Sequence, residues 1–276
     1  MILKTKKKVY DLSEKTYIMG ILNVTPDSFS DGGSYTTVEK AVEQAKRMEL
    51  EGADIIDVGG ESTRPDHEPI SVEEELNRVI PVIKKLKDEI NIPISIDTYK
   101  AKTAAAAIEA GADIINDIWG AKKDPDMASV VAKYDVPIIL MHNRDNMNYT
   151  DLITDMINDL QESITMVKEA GVKDEQIIID PGIGFAKTID HNYIVMNRLE
   201  EFRTKLPYPL LLATSRKRFI TKVLDIPPQE RDNATGATTC LGIVKGANIV
   251  RVHDVKRNVE LAKMMDAMLK GANIDG

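Results

Sequence analysis

Eight short apolar runs punctuate the chain: "YIMGILNV" (17–24), "DIIDVGG" (54–60), "IPISIDT" (92–98), "DIINDIW" (113–119), "VPIILMHN" (136–143), "QIIIDPG" (176–182), "PLLLATS" (209–215) and "NIVRVHD" (248–254). Each is nearly continuous in Ile, Val and Leu rather than alternating, which is the pattern of parallel strands covered on both faces. The segments between them have helical length and period, as in "TTVEKAVEQAKRMELEG", and several close on Gly. Eight consecutive βα units with no linker-like break predict an α/β fold, a single-domain (β/α)8 TIM barrel. Residues 1–16 read as a short N-terminal extension and 17–272 as the barrel. A doubly wound open sheet is the competing architecture.

One local pattern recurs as "GADIID" (52–57), "GADIIN" (111–116) and "GANIVR" (246–251). A Gly ends a helix, an apolar strand follows, and the sixth residue is polar: Asp57, Asn116 and Arg251. Equal spacing predicts that these side chains lie at one depth near the C-terminal strand ends, the catalytic face of such barrels. The full set of polar strand-end groups is Asn23, Asp57, Asp97, Asn116, His142, Asp180, Lys217, Arg251 and His253. Burying them is costly unless a ligand or partner satisfies them. Asp97, Asn116 and Asp180 suit a planar heterocycle with adjacent ring N–H, amine and carbonyl groups, such as a pterin or guanine-like ring. Taken singly, each Asp fits helix capping or lysine pairing equally well.

The cations sort differently. Arg216 and Lys217 follow run seven, and Arg251 and His253 lie on run eight, where barrels commonly bind phosphate. Asn23, with Asp27 and Asp31 in the loop after it, suits Mg²⁺ held largely by water and phosphate oxygens. A heterocycle pocket beside a diphosphate pocket implies transfer chemistry with pyrophosphate leaving. With four His and no HxxxH or CxxC spacing, a dedicated zinc site is disfavoured. "GIGFAK" (182–187) lacks the spacing of a nucleotide-binding loop.

Composition narrows the class further. At 276 residues, 43% hydrophobic and 29% charged, the chain is long enough for a full core. The net charge of −8 argues against a broad nucleic-acid or anionic-membrane surface. No run approaches the ~18 residues of a membrane span, and no signal peptide is evident. The single Cys240, in "TTCLGIV", reads as a buried structural thiol and points to a reducing, cytoplasmic setting.

In order along the chain stand "GILNVTPDSFSDGG", "GGESTRP", "PISIDTYKA", "INDIWG", "MHNR", "DPGIGFAK", "TSRK" and "RVHDV". From about Met19 to Met268 the sequence resembles the dihydropteroate synthase family of bacterial type, which joins a pterin diphosphate to p-aminobenzoate. The resemblance implies a homodimeric barrel with Mg²⁺. It assigns the pterin to Asp97, Asn116, Asp180 and Lys217, the diphosphate to Arg251 and His253, and the metal-linked position to Asn23. Thr63 and Arg64 belong to a second loop reaching over the diphosphate. Phe29, Pro65, Phe185, Met141 and the surroundings of Lys217 match substrate contacts, mainly in the p-aminobenzoate pocket. The catalytic set is then Asp97, Lys217, Arg251, His253 and Arg64. Two departures stand out: Asp66 after "STRP", where Gly is common, and Arg218 after Lys217, where Ser is frequent. A pterin-dependent methyltransferase and a non-catalytic pterin-binding paralogue are the competing functions. The segment "LAKMMDAML" (261–269) is a candidate dimer contact, with core packing as its alternative.

Overall fold

The computed structural model describes residues 1–25, 34–61 and 68–270. After an antiparallel pair, β1 (Ile2–Lys4) and β2 (Val9–Asp11), come β3 (Tyr17–Asn23), β4 (Ile55–Gly59), β5 (Ile94–Asp97) and β6 (Ile114–Asp117). Then follow β7 (Ile138–Met141), β8 (Ile177–Asp180), β9 (Leu211–Leu212) and β10 (Ile249–Val252). The strands from β3 onward pair in parallel in the order β8-β7-β6-β5-β4-β3-β10-β9. A bridge between Ile179 and Leu210 joins the two ends, so the sheet closes and the open-sheet alternative is excluded. Run seven forms the shortest strand because Pro209 has no N–H to give; its carbonyl accepts from Ile179 N at 2.9 Å instead.

The outer layer is α1 (Ser34–Leu50), α2 (Val72–Glu89), α3 (Ala101–Ala110), α4 (Met127–Tyr134), α5 (Leu152–Glu169), α6 (Ile189–Asn197), α7 (Glu200–Lys205), α8 (Asp232–Val244) and α9 (Val255–Lys270). Their starts follow capping chemistry: Ser71 accepts from Glu74 N at 3.1 Å, and Asp151 accepts from Thr154 N at 2.9 Å. Gly52, Gly111 and Gly246, the turning residues of the recurrent pattern, all take left-handed backbone at φ 102°, 128° and 94°. No helix among the described residues is long and apolar enough to cross a membrane.

Strand parity divides the interior in two. Outward residues such as Leu22, Ile56, Val58, Ile94 and Ile96 pack with the helices in one large core. Inward Tyr17, Met19, Ile55, Ile114, Ile139, Ile178, Leu211 and Ile249 form a second, smaller core inside the barrel. The N-terminal pair belongs to this inner core. Leu3, Tyr10 and Leu12 complete it, with the Tyr10 ring edge-on to Tyr17 at 5.1 Å and the Tyr10 hydroxyl donating to Asp54 O. Burying each leucine contributes roughly 1.5–3 kcal/mol. The pair therefore stoppers the N-terminal end of the barrel and leaves chemistry to the opposite end. As a sequence it reads only as an extension, because three-residue strands carry almost no periodic signal.

Candidate active site

One inward step beyond that apolar layer, the strands turn polar. Ile55 is followed at the same parity by Asp57, Ile114 by Asn116, Ile178 by Asp180, and Ile249 by Arg251. The pairing register aligns Asn23, Gly59, Asp97 and Asn116 in a row across four neighbouring strands.

Arg251 joins this row from β10, the strand next to β3. Its Nε donates to Asp57 Oδ2 at 2.6 Å and its Nη2 to Asp97 Oδ2 at 2.7 Å. Asn116 Nδ2 donates to the same Asp57 oxygen at 3.0 Å. The three equivalent positions of the recurrent pattern thus meet on one carboxylate. Burial works against the Arg251 charge, but Asp57 and Asp97 outweigh it and hold the guanidinium protonated. Burial also pushes the Asp97 carboxyl above its usual range, opposed by Arg251 and reinforced by the Asp57 charge. Asp57 Oδ1, buried, has no hydrogen-bond partner among the described residues. The barrel floor is therefore rich in acceptors and short of donors.

A second group sits on the β8 and β9 side. Asp180, 3% exposed, accepts from Gly182 N at 2.7 Å. Lys217 donates to the Ile183 carbonyl and sets its ammonium 4.7 Å from the centre of the half-buried Phe185 ring. Burial shifts both charged groups toward neutrality, Asp180 upward and Lys217 down to about 8, while each opposes the other's shift. Met141 ends β7 on the inward face, buried, against Gly182. His253 is anchored by Ser215, whose hydroxyl accepts from the His253 backbone N–H at 3.1 Å and meets ring Nδ1 at 2.8 Å. Asn23 stands half-buried at the rim, its Oδ1 across Gly59 from the Asp97 carboxylate.

Several expectations need correction. His142 does not face the barrel interior: it follows inward Met141, so parity turns it out toward α5. Its Nε2 meets Asp159 at 2.9 Å and burial lowers its pKa to about 4. Arg216, grouped with the phosphate-binding cations, is forked onto Asp232 at 2.7 and 2.8 Å. Arg218 is exposed. Cys240 is half-buried rather than buried and lines an open groove of about 590 Å³ between α8 and α9, outside the barrel. Asp27, Phe29, Asp31, Thr63, Arg64, Pro65 and Asp66 lie outside the described residues. Ser215 and Lys187 went unread in the sequence: a Ser beside two cations and a Lys in a Gly-rich stretch look solvated. The recurrent pattern marks Asp57 as a strand-end group, but nothing local in the sequence marks it as the hub.

The pterin binding enzyme family model matches residues 19–253. The dihydropteroate synthase of Bacillus subtilis (strain 168) is 60% identical over 273 residues, 99% of this chain and 95% of that protein. The structure of dihydropteroate synthase from Clostridium difficile in the presence of pteroic acid superposes with a TM-score of 0.92 at 53% identity, covering 94% of this chain and 98% of that one. That of Xanthomonas albilineans with 4-aminobenzoic acid gives 0.93 at 38% identity, covering 98% of each. With the polar strand-end row, the closed barrel and near-full-length matches in agreement, the chain belongs to the dihydropteroate synthases of the pterin-binding enzyme family.

Proposed function

We propose that the chain condenses 6-hydroxymethyl-7,8-dihydropterin diphosphate with p-aminobenzoate, giving 7,8-dihydropteroate and pyrophosphate in folate biosynthesis. One observation carries this reading: the acceptor-rich, donor-poor floor formed by Asp57, Asp97, Asn116 and Asp180. A pterin edge offers the ring N–H and amine donors that such a floor lacks, and supplying them would favour the charged carboxylates. In this reading Asp97, Asn116, Asp180 and Lys217 hold the ring, with Met141 lining its wall. Arg251 and His253 face the diphosphate, while Phe185 beside Lys217 lines the p-aminobenzoate pocket. Phe29, Thr63, Arg64 and Pro65 carry over as loop contacts from the family resemblance.

Mg²⁺ is part of the proposal. The described residues hold no group of three His, Cys, Asp or Glu side chains that would cage a metal. The Asn23 amide oxygen at the rim instead fits a hard ion completed by water and substrate phosphates. When bound, the ion would neutralise charge on the leaving pyrophosphate.

The residues support a dissociative substitution. As the C–O bond at the exocyclic methylene breaks, the dihydropterin ring takes up positive charge and Asp97 lies where it offsets that charge. Arg251 and His253 stabilise the departing pyrophosphate electrostatically. The p-aminobenzoate nitrogen then forms the C–N bond and releases a proton to solvent. Its amine is neutral near pH 7, so no dedicated base is required.

The purified protein is expected to release pyrophosphate and form dihydropteroate when given both substrates and Mg²⁺, measured by pyrophosphate release and product chromatography. Absence of product under those conditions overturns the reading. Ser215→Ala is expected to slow turnover about tenfold, because His253 loses its anchor and small misplacements of catalytic groups are expensive. Steady-state kinetics at saturating substrates test this, and an unchanged kcat would remove Ser215 from its positioning role.

The homodimer and the cytoplasmic setting remain part of the same proposal. Met264, Met268 and Leu269 on α9 are 60%, 56% and 53% exposed, which supports a contact surface there over core packing.

A further inference from the structure

Residues 182–187 take an unusual backbone path, with positive φ at Gly182 (66°), Gly184 (87°) and Ala186 (47°). Such a path persists only where its surroundings over-determine it. The turn wraps around the ammonium of Lys187, which is 8% exposed and has no carboxylate within hydrogen-bonding range among the described residues. Its ammonium instead meets three neutral acceptors: His142 Nδ1 at 2.9 Å, Gly182 O at 3.0 Å and Phe185 O at 2.9 Å. That uses all three donors of a lysine. The His142 ring is locked in turn: Nδ1 accepts from Lys187, so neutral His142 carries its proton on Nε2 and donates it to Asp159 at 2.9 Å. Arg144 grips the same Asp159 carboxylate through Nε and Nη2. A polar column therefore runs from the α5 surface to the two carbonyls that bracket the loop.

Other groups fasten the remaining loop atoms. Tyr149 donates to Ala186 O at 2.8 Å, Asn192 Oδ1 accepts from Gly184 N at 2.6 Å, and Lys217 takes Ile183 O. Lys187 is the member that touches both ends of the Gly182–Phe185 turn. Burial lowers its pKa to about 7, opposed by the charge of Asp180, so holding this ammonium here is costly. A buried cation with no directly paired carboxylate among the described residues is an expensive way merely to fill space.

We propose that Lys187 is a positioning residue for the second substrate: by pinning the Gly182 and Phe185 carbonyls to the His142 ring, it fixes the Phe185 ring and the Lys217 ammonium against it as one wall of the p-aminobenzoate pocket. The inference rests on the proposed function for the identity of that substrate, but not for the pinning itself. Of the pterin contacts, Asp97 and Asn116 stand on other strands, whereas Asp180 is tied to the loop through Gly182 N and Lys217 through Ile183 O, so the pterin site feels the loop only in part.

Two arms test it, using the full chain. In Lys187→Met, amide hydrogen exchange at 183–186 is expected to speed up about tenfold while β5 and β6 stay protected, the signature of local rather than global opening. In steady-state kinetics the KM for p-aminobenzoate is expected to rise about tenfold, the size of one lost charged hydrogen bond, and the pterin diphosphate KM only about threefold, through Asp180 and Lys217. Tyr149→Phe removes one peripheral tie without touching the core and is expected to change both readouts in the same direction by about threefold, so it decides the matter if Lys187→Met does not fold. Unchanged exchange at 183–186 overturns the pinning. An equal loss for both substrates, or an unchanged p-aminobenzoate KM, overturns the selective role. A wild-type protein that does not turn over p-aminobenzoate overturns the proposed function, and the exchange arm then decides the Lys187 contact alone.

Discussion

Arg251→Met is expected to destabilise the protein by about 3–5 kcal/mol near neutral pH and to reduce turnover at least about a thousandfold. The stability loss comes from what the substitution leaves behind. Asp57 is 0% and Asp97 8% exposed, and both lose the cation that meets them at 2.6 and 2.7 Å. Asn116 remains on Asp57, but one neutral amide does not offset two buried negative charges. The pH dependence identifies the cause. Burial already raises the Asp97 pKa in the folded state, and removing Arg251 raises it further. A carboxyl whose folded pKa lies above its unfolded value stabilises when protonated, and that contribution disappears as pH rises through the folded pKa. The deficit of the variant should therefore be larger at pH 8 than at pH 5 in urea unfolding. A deficit that is the same at both pH values would show that the carboxylate pair is not its source. The companion Arg251→Met/Asp97→Asn should recover part of the stability and none of the activity.

The second large effect belongs to a backbone position. Gly182→Ala is expected to cost about 3 kcal/mol or more and to abolish pterin binding. Gly182 has φ 66°, and a Cβ built on it runs into the His142 carbonyl oxygen, a main-chain atom at the end of β7 that cannot step aside. Relief requires moving the 182–187 turn, and Asp180 moves with it because its Oδ1 is held by Gly182 N at 2.7 Å. Gly184→Ala is the informative control. Its φ of 87° is also left-handed, but its Cβ would meet Lys217 Cδ at 3.2 Å, the flexible part of a side chain. That variant should cost only about 1 kcal/mol, mostly conformational. Thermal unfolding and pterin binding by calorimetry separate the two; equal losses would mean that the His142 contact is unimportant.

Much of this architecture was legible in the sequence because parallel barrels write it redundantly. Continuous Ile and Val runs mark strands covered on both faces, and the Gly before three of them sets the count from which Asp57, Asn116 and Arg251 reach one level. What a linear reading lacks is pairing across the ring. Arg251 and Asp57 are 194 residues apart, and no local pattern states that one guanidinium will span Asp57 and Asp97. Parity explains the His142 error, since one step along the chain exchanges the barrel interior for the helix layer. Lys187 and Ser215 escaped for a different reason: each acts through a neighbour, and a residue that acts through another has no composition to betray it. The cations were over-read in the same way, because Arg216 looks like a phosphate ligand until Asp232 is seen beneath it.

The stopper at the closed end of the barrel also orders events during synthesis. Leu3 and Tyr10 leave the ribosome about 200 residues before Leu211 and Ile249, with which they share the inner core. The neighbouring strand has the same problem, because Tyr17 and Ile18 pair with Ile249 and Val250. Until β9 and β10 have emerged, part of the surface this segment docks on is missing and some of its apolar side chains must wait in solvent. The three lysines at positions 6 to 8 sit in the turn between its two short strands. They keep the waiting segment charged and soluble over the interval when the rest of its binding site does not yet exist.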